Sequence, residues 1–190
     1  EFDAYQYAAN IGLLAPDPIT GNGYDYNKHH YLDTDVFSAF VALYWDINDR
    51  TELTVGARYT DEEKDGKIEI PYVHLFLQGS FSAPPLIDGL EFEDDNISPE
   101  IAINYYLNDD VSVFAAYKEG FKSGGIDNSA LPTASLSPPD GDFGFLVYQS
   151  EEADGFEVGM KGNFLNNSLR LNAPIFTYEY TGLQVQLFNS

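Results

Sequence analysis

The sequence predicts an all-β fold, an antiparallel meander of long hairpins that forms part of a transmembrane β-barrel. Two observations predict it. Apolar and polar residues alternate over runs of about ten residues, which is the period of a strand with one apolar and one polar face. The alternating runs come in pairs joined by short polar turns, and long acidic connections separate one pair from the next.

The chain opens with a region, residues 1–35, that we predict to be an irregular loop. Proline, glycine and tyrosine are frequent there, and no long alternating run develops. The remainder, residues 36–190, is predicted to be a partial barrel. Its first hairpin occupies about residues 36–60, where a run that is apolar on both faces leads to the turn Asn48–Arg50 and an alternating run returns.

The second and third hairpins repeat this pattern. Residues 96–118 alternate on both sides of the turn Asn108–Asp110, and residues 153–187 alternate on both sides of the turn Leu165–Ser168. This last turn is rich in Asn, which tolerates a left-handed backbone. With further strands in the connections, we expect about six to eight strands in all. Pro174 lies inside the last run, where it removes a backbone donor, and it predicts a local bulge or a position at the rim.

The lengths of the connections indicate a membrane barrel. Outer-membrane barrels have short turns on one side of the membrane and long loops on the other, and here residues 61–95 and 119–150 form long connections. Aromatic residues near both ends of the strands fit two membrane interfaces. They are Tyr44, Trp45, Tyr105, Tyr106 and Phe164 near the short turns, and Tyr59, Tyr117, Tyr178 and Tyr180 near the opposite ends. A soluble antiparallel sheet with long loops is the alternative.

The composition excludes several classes of function. Net charge is −22, with 31 acidic and 9 basic residues, which argues against a nucleic-acid partner because phosphate binding needs a basic face. The chain has no Cys, and none of its three His residues lies near a nucleophile motif, so we predict no enzyme activity. The acidic loops lack the spacing of a calcium site, and His29–His30 has no spaced carboxylates, so no metal or cofactor is predicted.

Several short motifs resemble the barrel region of TonB-dependent outer-membrane receptors. They are EEADGFEVGMK at residues 151–161, LRLNA at 169–173, FKSGG at 121–125, LTVGARYT at 53–60 and SPE at 98–100. The resemblance covers about residues 36–187, although the loops contribute little to it. It implies a barrel of about 22 strands around an N-terminal plug, in the outer membrane of a Gram-negative bacterium. The sequence shows neither a plug nor a TonB-interacting box, so we expect it to be part of a longer chain.

The resemblance also implies a function, which is the active import of a scarce nutrient driven by TonB. A ferric siderophore is the usual ligand of the family, with haem, cobalamin and saccharides as alternatives. The implied partners are outer-membrane lipid and lipopolysaccharide, the protein's own plug domain, the TonB complex and the small-molecule ligand. Two other hypotheses stay open at this point: a passive porin-like barrel, and a soluble β-rich binding or adhesin domain.

Charged residues within the strands are predicted to face the lumen, because a charge that faces lipid at the bilayer midplane costs about 2–4 kcal/mol. These candidates for contact with the plug or with ligand are Arg58, Glu100, Lys118, Glu157, Lys161 and Arg170. In the long connection after the second hairpin, the candidates for ligand contact are Phe121, Lys122, Phe143 and Phe145. None of these residues is expected to be catalytic.

Overall fold

A computed structural model of the chain describes residues 4–7, 15–129, 133 and 136–185. The described residues form the strands β1 (Ala4–Tyr7), β2 (Tyr26–Asn48), β3 (Thr51–Val73), β4 (Leu86–Tyr106), β5 (Val111–Lys122), β6 (Gly125–Ile126), β7 (Val147–Tyr148), β8 (Glu151–Phe164) and β9 (Leu169–Thr181). Among the described residues, the short 3-10 helices Leu75–Leu77 and Gly144–Leu146 lie in the connections.

Seven strands form one sheet in the order β1-β2-β3-β4-β5-β8-β9, and β6 and β7 form a separate pair. The pairs β1–β2, β4–β5, β5–β8 and β8–β9 are antiparallel. The predicted all-β antiparallel meander is therefore confirmed, and the seven strands of its sheet fall within the predicted number.

The strands of the first two hairpins are longer than the sequence indicated. β2 begins at Tyr26, inside the stretch 1–35 that we predicted to be irregular. β3 runs to Val73 and β4 starts at Leu86, both inside the predicted connection 61–95. Charged residues on both faces of β3 hide the alternation at the start of this connection, and it reappears after them in the sequence KIEI.

The last strand is shorter than predicted. β9 ends at Thr181, and the next residue, Gly182, has a φ of 68°, a left-handed backbone that does not continue a strand. Residues 186 and 187, the end of the predicted hairpin, lie outside the described residues, as do residues 1–3 and 8–14 of the predicted loop region.

The three short turns form as their residue types predict. Leu165, Asn166 and Asn167 have φ values of 55°, 55° and 66°, so the turn between β8 and β9 has the left-handed backbone that its Asn residues indicated. In the other two turns an Asn side chain accepts hydrogen bonds from the backbone that follows. Asn48 Oδ1 accepts from Arg50 N at 2.9 Å, and Asn108 Oδ1 accepts from Asp110 N at 2.9 Å.

The chain divides into two units. Unit 1 comprises residues 1–35, 62–93 and 124–148, and unit 2 comprises residues 36–61, 94–123 and 149–190. Unit 1 has its own hydrophobic core, formed by residues of β3, of β4, of β6 and of the connection between β6 and β7: Ile68, Ile70, Ile87, Leu90, Ile126, Leu136 and Leu146. Phe143 and Leu32 are among the half-buried side chains that pack against it.

Asp17 fastens a loop of unit 1. Its carboxylate accepts hydrogen bonds from the backbone N–H of Leu75 at 2.9 Å, from those of Ile19 and Thr20 at 2.8 and 3.1 Å, and from the Tyr72 hydroxyl at 2.9 Å. These hydrogen bonds stabilise the charged form of Asp17, and the bond from Leu75 has the largest effect. They hold the pKa of Asp17 well below its usual range.

Unit 2 is a regular antiparallel sheet. The pairing of β8 with β9 runs without interruption from Glu152 opposite Thr181 to Phe164 opposite Leu169. Pro174 lies in the middle of β9 within this pairing, opposite Gly159, so neither of the predicted alternatives, a local bulge or a position at the rim, is found.

Candidate functional site

Five of the predicted lumen-facing residues lie on one face of the unit 2 sheet. Residues that pair across antiparallel strands point to the same face, and so do residues two apart along a strand. Glu100 pairs with Lys118 of β5. Glu157 and Lys161 pair with Ala116 and Ser112 of β5. These two residues are an even number of positions from Lys118 and therefore point to the same face as Lys118. Arg170 pairs with Asn163, which is two residues from Lys161 on β8 and so lies on the same face. We name this face the polar face.

Arg58 shares the polar face. The Tyr106 hydroxyl donates to Glu52 Oε2 at 2.7 Å, and Tyr106 pairs with Ser112 of the polar face. Glu52 and Arg58 have the same parity on β3, so their side chains leave the strand on the same side. The Arg58 guanidinium donates to Ser38 Oγ at 3.2 Å, which brings β2 into the same polar surface.

The charges of the polar face interact only weakly with one another. Lys118 Nζ lies 3.2 Å from Glu100 Oε1, with the two side chains 46% and 44% exposed. An ion pair this exposed contributes at most about 1 kcal/mol, so both groups can exchange it for another partner. Arg170 Nε donates to Asn163 Oδ1 at 3.2 Å. Among the described residues, neither Lys161 nor Arg170 forms a salt bridge.

Phe114 is a residue of the polar face that the sequence did not single out. It pairs with Gly159, and a Cβ atom added to Gly159 would lie 2.7 Å from the Phe114 ring, so the ring lies directly over the glycine. Lys161 Nζ stands 4.7 Å from the centre of the same ring, a cation–π contact. Phe114 has the same parity as Ser112 and Lys118 on β5, and this parity was the signal available in the sequence. We did not use it because Phe114 is apolar.

A concavity of about 360 Å³ lies at the turn end of the polar face. It combines the basic groups of Lys161 and Arg170, the amides of Asn163 and Asn172, and the Tyr106 ring with the acidic turn residues Asp109 and Asp110. This set can accept a partner that carries both carboxylate and amide groups, which is the chemistry of a polypeptide surface.

Comparison with known proteins identifies the family. The family model described as "TonB dependent receptor-like, beta-barrel" matches residues 2–190. The chain belongs to this family. TonB-dependent receptors are transport receptors of the Gram-negative outer membrane, so the chain is a part of a transmembrane β-barrel. The family assignment decides against the soluble binding or adhesin domain that the sequence had left open.

Solved structures of TonB-dependent receptors have the same fold. The chain is similar to the ferric yersiniabactin uptake receptor FyuA from Yersinia pestis, with 17% identity and a TM-score of 0.66 over 86% of this chain and 23% of that one. It is also similar to the siderophore receptor PiuA from Acinetobacter baumannii, with 20% identity and a TM-score of 0.54 over 80% of this chain and 19% of that one. The chain therefore spans less than a quarter of the length of either receptor. No protein with a curated description matches it.

The predicted loop candidates of this receptor chain fall into two pairs. Phe121 and Lys122 are the last residues of β5 in unit 2, and since they are adjacent on a strand their side chains leave on opposite faces. Lys122 Nζ lies 3.5 Å from Glu151 Oε2. Phe143 and Phe145 belong to unit 1, with ring centres 6.4 Å apart, and Phe143 packs against the core while Phe145 is exposed. Of this second pair, Phe145 is the side chain available to a ligand.

The register corrects one part of the predicted aromatic pattern. Tyr178 pairs with Gly155 and Tyr180 with Ala153. Gly155 and Ala153 are two and four residues from Glu157 on β8, so they lie on the same face as Glu157. Both tyrosines therefore lie on the polar face, as Tyr106 does, and do not flank the apolar one. Tyr178 and Tyr180 share the parity of Arg170 on β9, so the alternation pointed to this face, whereas the predicted pattern considered only their distance from the turns.

The described residues contain no group of three or more His, Asp or Glu side chains that could hold a metal ion. No helix among them is long and apolar enough to cross a membrane.

Proposed function

We propose that the polar face of unit 2 lines the lumen of the receptor barrel, and that its opposite, apolar face contacts lipid. The observation that carries this proposal is the register, which gathers on one side of the sheet the six charges that we predicted to face the lumen. The alternative orientation would turn those charges toward hydrocarbon, at about 2–4 kcal/mol for each Lys or Arg near the midplane. Exposed Val158 and Ile175, which pair on the opposite face, suit contact with lipid chains.

Lys161 and Arg170 contact the plug domain in this proposal. They lie in the concavity at the short-turn end of the sheet, and neither has an ionic partner among the described residues. A plug that fills the lumen would supply carboxylates to both groups. The Glu100–Lys118 pair, which is exposed and easily exchanged, is the candidate for contact with plug or ligand farther from the turns.

The whole protein imports a scarce nutrient across the outer membrane with energy relayed by TonB, and its ligand is a ferric siderophore. Family membership supports the transport class, and the names of the two similar receptors, one for ferric yersiniabactin uptake and one for siderophores, support the ligand class. In this proposal the polar face, the loops of unit 1 and the plug domain all serve this import, and no residue of the chain acts as a catalyst. Lipid and lipopolysaccharide surround the barrel.

Uptake of radiolabelled ferric siderophores tests this function in the intact receptor. We expect uptake to vanish when the receptor is deleted and when TonB is deleted. Arg170→Glu places a carboxylate where the plug needs a cation, and it should lower uptake about tenfold or more. Arg50→Glu is the matched control, because Arg50 lies in an exposed turn, and it should leave uptake unchanged.

Two results would contradict the proposal. Uptake that continues without TonB would indicate the passive porin-like barrel. Equal uptake by the Arg170→Glu and Arg50→Glu receptors, with both inserted in the outer membrane at wild-type levels, would remove the plug contact while leaving the transport class intact.

A further inference from the structure

The segment Gly124–Ser129, which we name the strap, is held against two strands of unit 1. At one end, Lys64 Nζ donates to Gly124 O at 2.5 Å. Next along the strap, the Ile126 side chain enters the space left by Gly66 of β3, where an added Cβ would lie only 2.5 Å from Ile126 Cδ1. Gly124, Gly125 and Ile126 are buried, so the first half of the strap is part of the core.

The second half of the strap is attached by polar groups. Lys28 and His30 of β2 are only 2% and 6% exposed, and both contact Asn128. Lys28 Nζ donates to the Asn128 backbone oxygen, and Asn128 Nδ2 lies 3.1 Å from His30 Nδ1. We name these three residues the latch.

The geometry of the latch requires a neutral histidine. An amide NH2 group can only donate, so His30 Nδ1 accepts and the ring proton resides on Nε2. Protonation would place a second donor hydrogen on Nδ1, facing the NH2 group of Asn128, and the hydrogen bond would be lost in this orientation of the amide. His30 Nε2 is buried and has no hydrogen-bond partner among the described residues, so no hydrogen bond from this atom to them stabilises a charged ring.

Burial and the neighbouring lysine also favour a neutral ring. Burial first and Lys28 second lower the pKa of His30, and Asp127 of the strap partly opposes them. Burial also lowers the pKa of Lys28, again opposed by Asp127. On the neighbouring strand β1, the register positions opposite His30 and Lys28 are Ala4 and Gln6, which do not titrate.

We propose that the latch is a pH-sensitive fastening, and that protonation of His30 releases the strap from β2. The folded state favours neutral His30, so the stability that the latch contributes is complete above the usual histidine value of about 6.5 and is lost as the pH falls below it. The hydrophobic half of the strap stays in the core, because Ile126 carries no titratable group. Acid therefore frees residues 127–129 before it unfolds unit 1.

A spin label at position 129 tests this proposal in the intact receptor, embedded in outer-membrane vesicles. Ser129 is exposed, and the 190 residues contain no Cys, so Ser129→Cys introduces one labelling site in this part of the protein. The electron paramagnetic resonance spectrum is recorded from about pH 8 to about pH 4.5. We expect the immobile spectral component to be replaced by a mobile one, with a midpoint below about pH 6.5.

Two variants of the latch make the test specific. In His30→Gln the ring that titrates is gone, and the label should show no transition over this pH range. In Asn128→Asp a carboxylate faces Nδ1 and accepts from the protonated ring, so the strap should stay immobile in acid. His29→Gln is the matched control, because His29 is the adjacent residue on the opposite face of β2, and it should keep the wild-type transition.

Two results would overturn the proposal. The first is a label whose mobility does not change with pH in the wild-type receptor. The second is a transition that persists unchanged in His30→Gln, since another group would then be responsible. If His30→Gln does not assemble, Asn128→Asp decides, because a transition identical to that of the wild type would exclude His30 as the titrating group.

Discussion

Truncation of Ile68 to alanine should loosen unit 1 selectively. Ile68 is 1% exposed and lies in the core cluster with Ile87, Leu136 and Leu146, which come from separate stretches of the chain. No polar group of the side chain is lost, so the effect measures packing alone. The strap and the segment 136–148 depend on this cluster, and they should open more often in the Ile68→Ala receptor.

The magnitude follows from the atoms removed. Ile68→Ala deletes three carbon atoms that are completely buried, worth about 0.8 kcal/mol each in transfer free energy, and leaves a cavity that adds to the cost. We expect a loss of about 3–4 kcal/mol in the free energy of local opening. Since about 1.4 kcal/mol corresponds to a factor of ten, amide hydrogens protected by this core should exchange about a hundredfold to a thousandfold faster.

Hydrogen exchange followed by mass spectrometry on the intact receptor measures this change. Peptides that contain Asp127, whose N–H donates to Leu146 O, should show it, while peptides from the turn between β8 and β9 should not. Ile19→Ala is a matched control, the same substitution in unit 1 at a side chain that is 77% exposed, and it should cost well under about 1 kcal/mol. Equal exchange rates in the two variants would refute the existence of this core.

Three further predictions address other parts of the chain. Folding favours the charged form of Asp17, so its contribution to stability is complete above its ordinary pKa of 3.8 and is lost as the pH falls below that value. Asp17→Asn should therefore increase hydrogen exchange in the loop at neutral pH. The same substitution should remove the dependence of this exchange on pH in the acid range. Gly159→Ala should push the Phe114 ring out of place, costing about 1–3 kcal/mol, and lower the temperature at which the barrel unfolds in detergent. A double-mutant cycle with Glu100→Gln and Lys118→Gln should give a coupling of at most about 1 kcal/mol in the same assay, and a much larger coupling would mean that the pair is buried against the plug.

The alternation of residues along the strands predicted which face of the sheet the charged residues of the candidate site occupy. Lys161 and Arg170 were assigned to one face because charges alternate with apolar residues on β8 and β9, and the register agrees. The aromatic pattern was wrong for Tyr178, because an aromatic side chain suits a lipid-facing or a lumen-facing position; parity with Arg170 on β9 gives the observed face. The sequence analysis also passed over Phe114, whose importance comes from its contacts with Gly159 and Lys161 across the strands.

By itself, the sequence determined that the chain is an antiparallel meander with short turns at one end. Alternation over ten residues and Asn-rich turns are local properties, and local sterics and the exposure of charge to lipid suffice to interpret them. Tertiary structure alone decided that the first two hairpins extend into the connections and that a separate core forms there. Ile68 and Ile126 are far apart in sequence, and Lys28, His30 and Asn128 meet only when the strap folds back onto β2. Contacts of this kind depend on which segments cover one another, and no local pattern of residues encodes that.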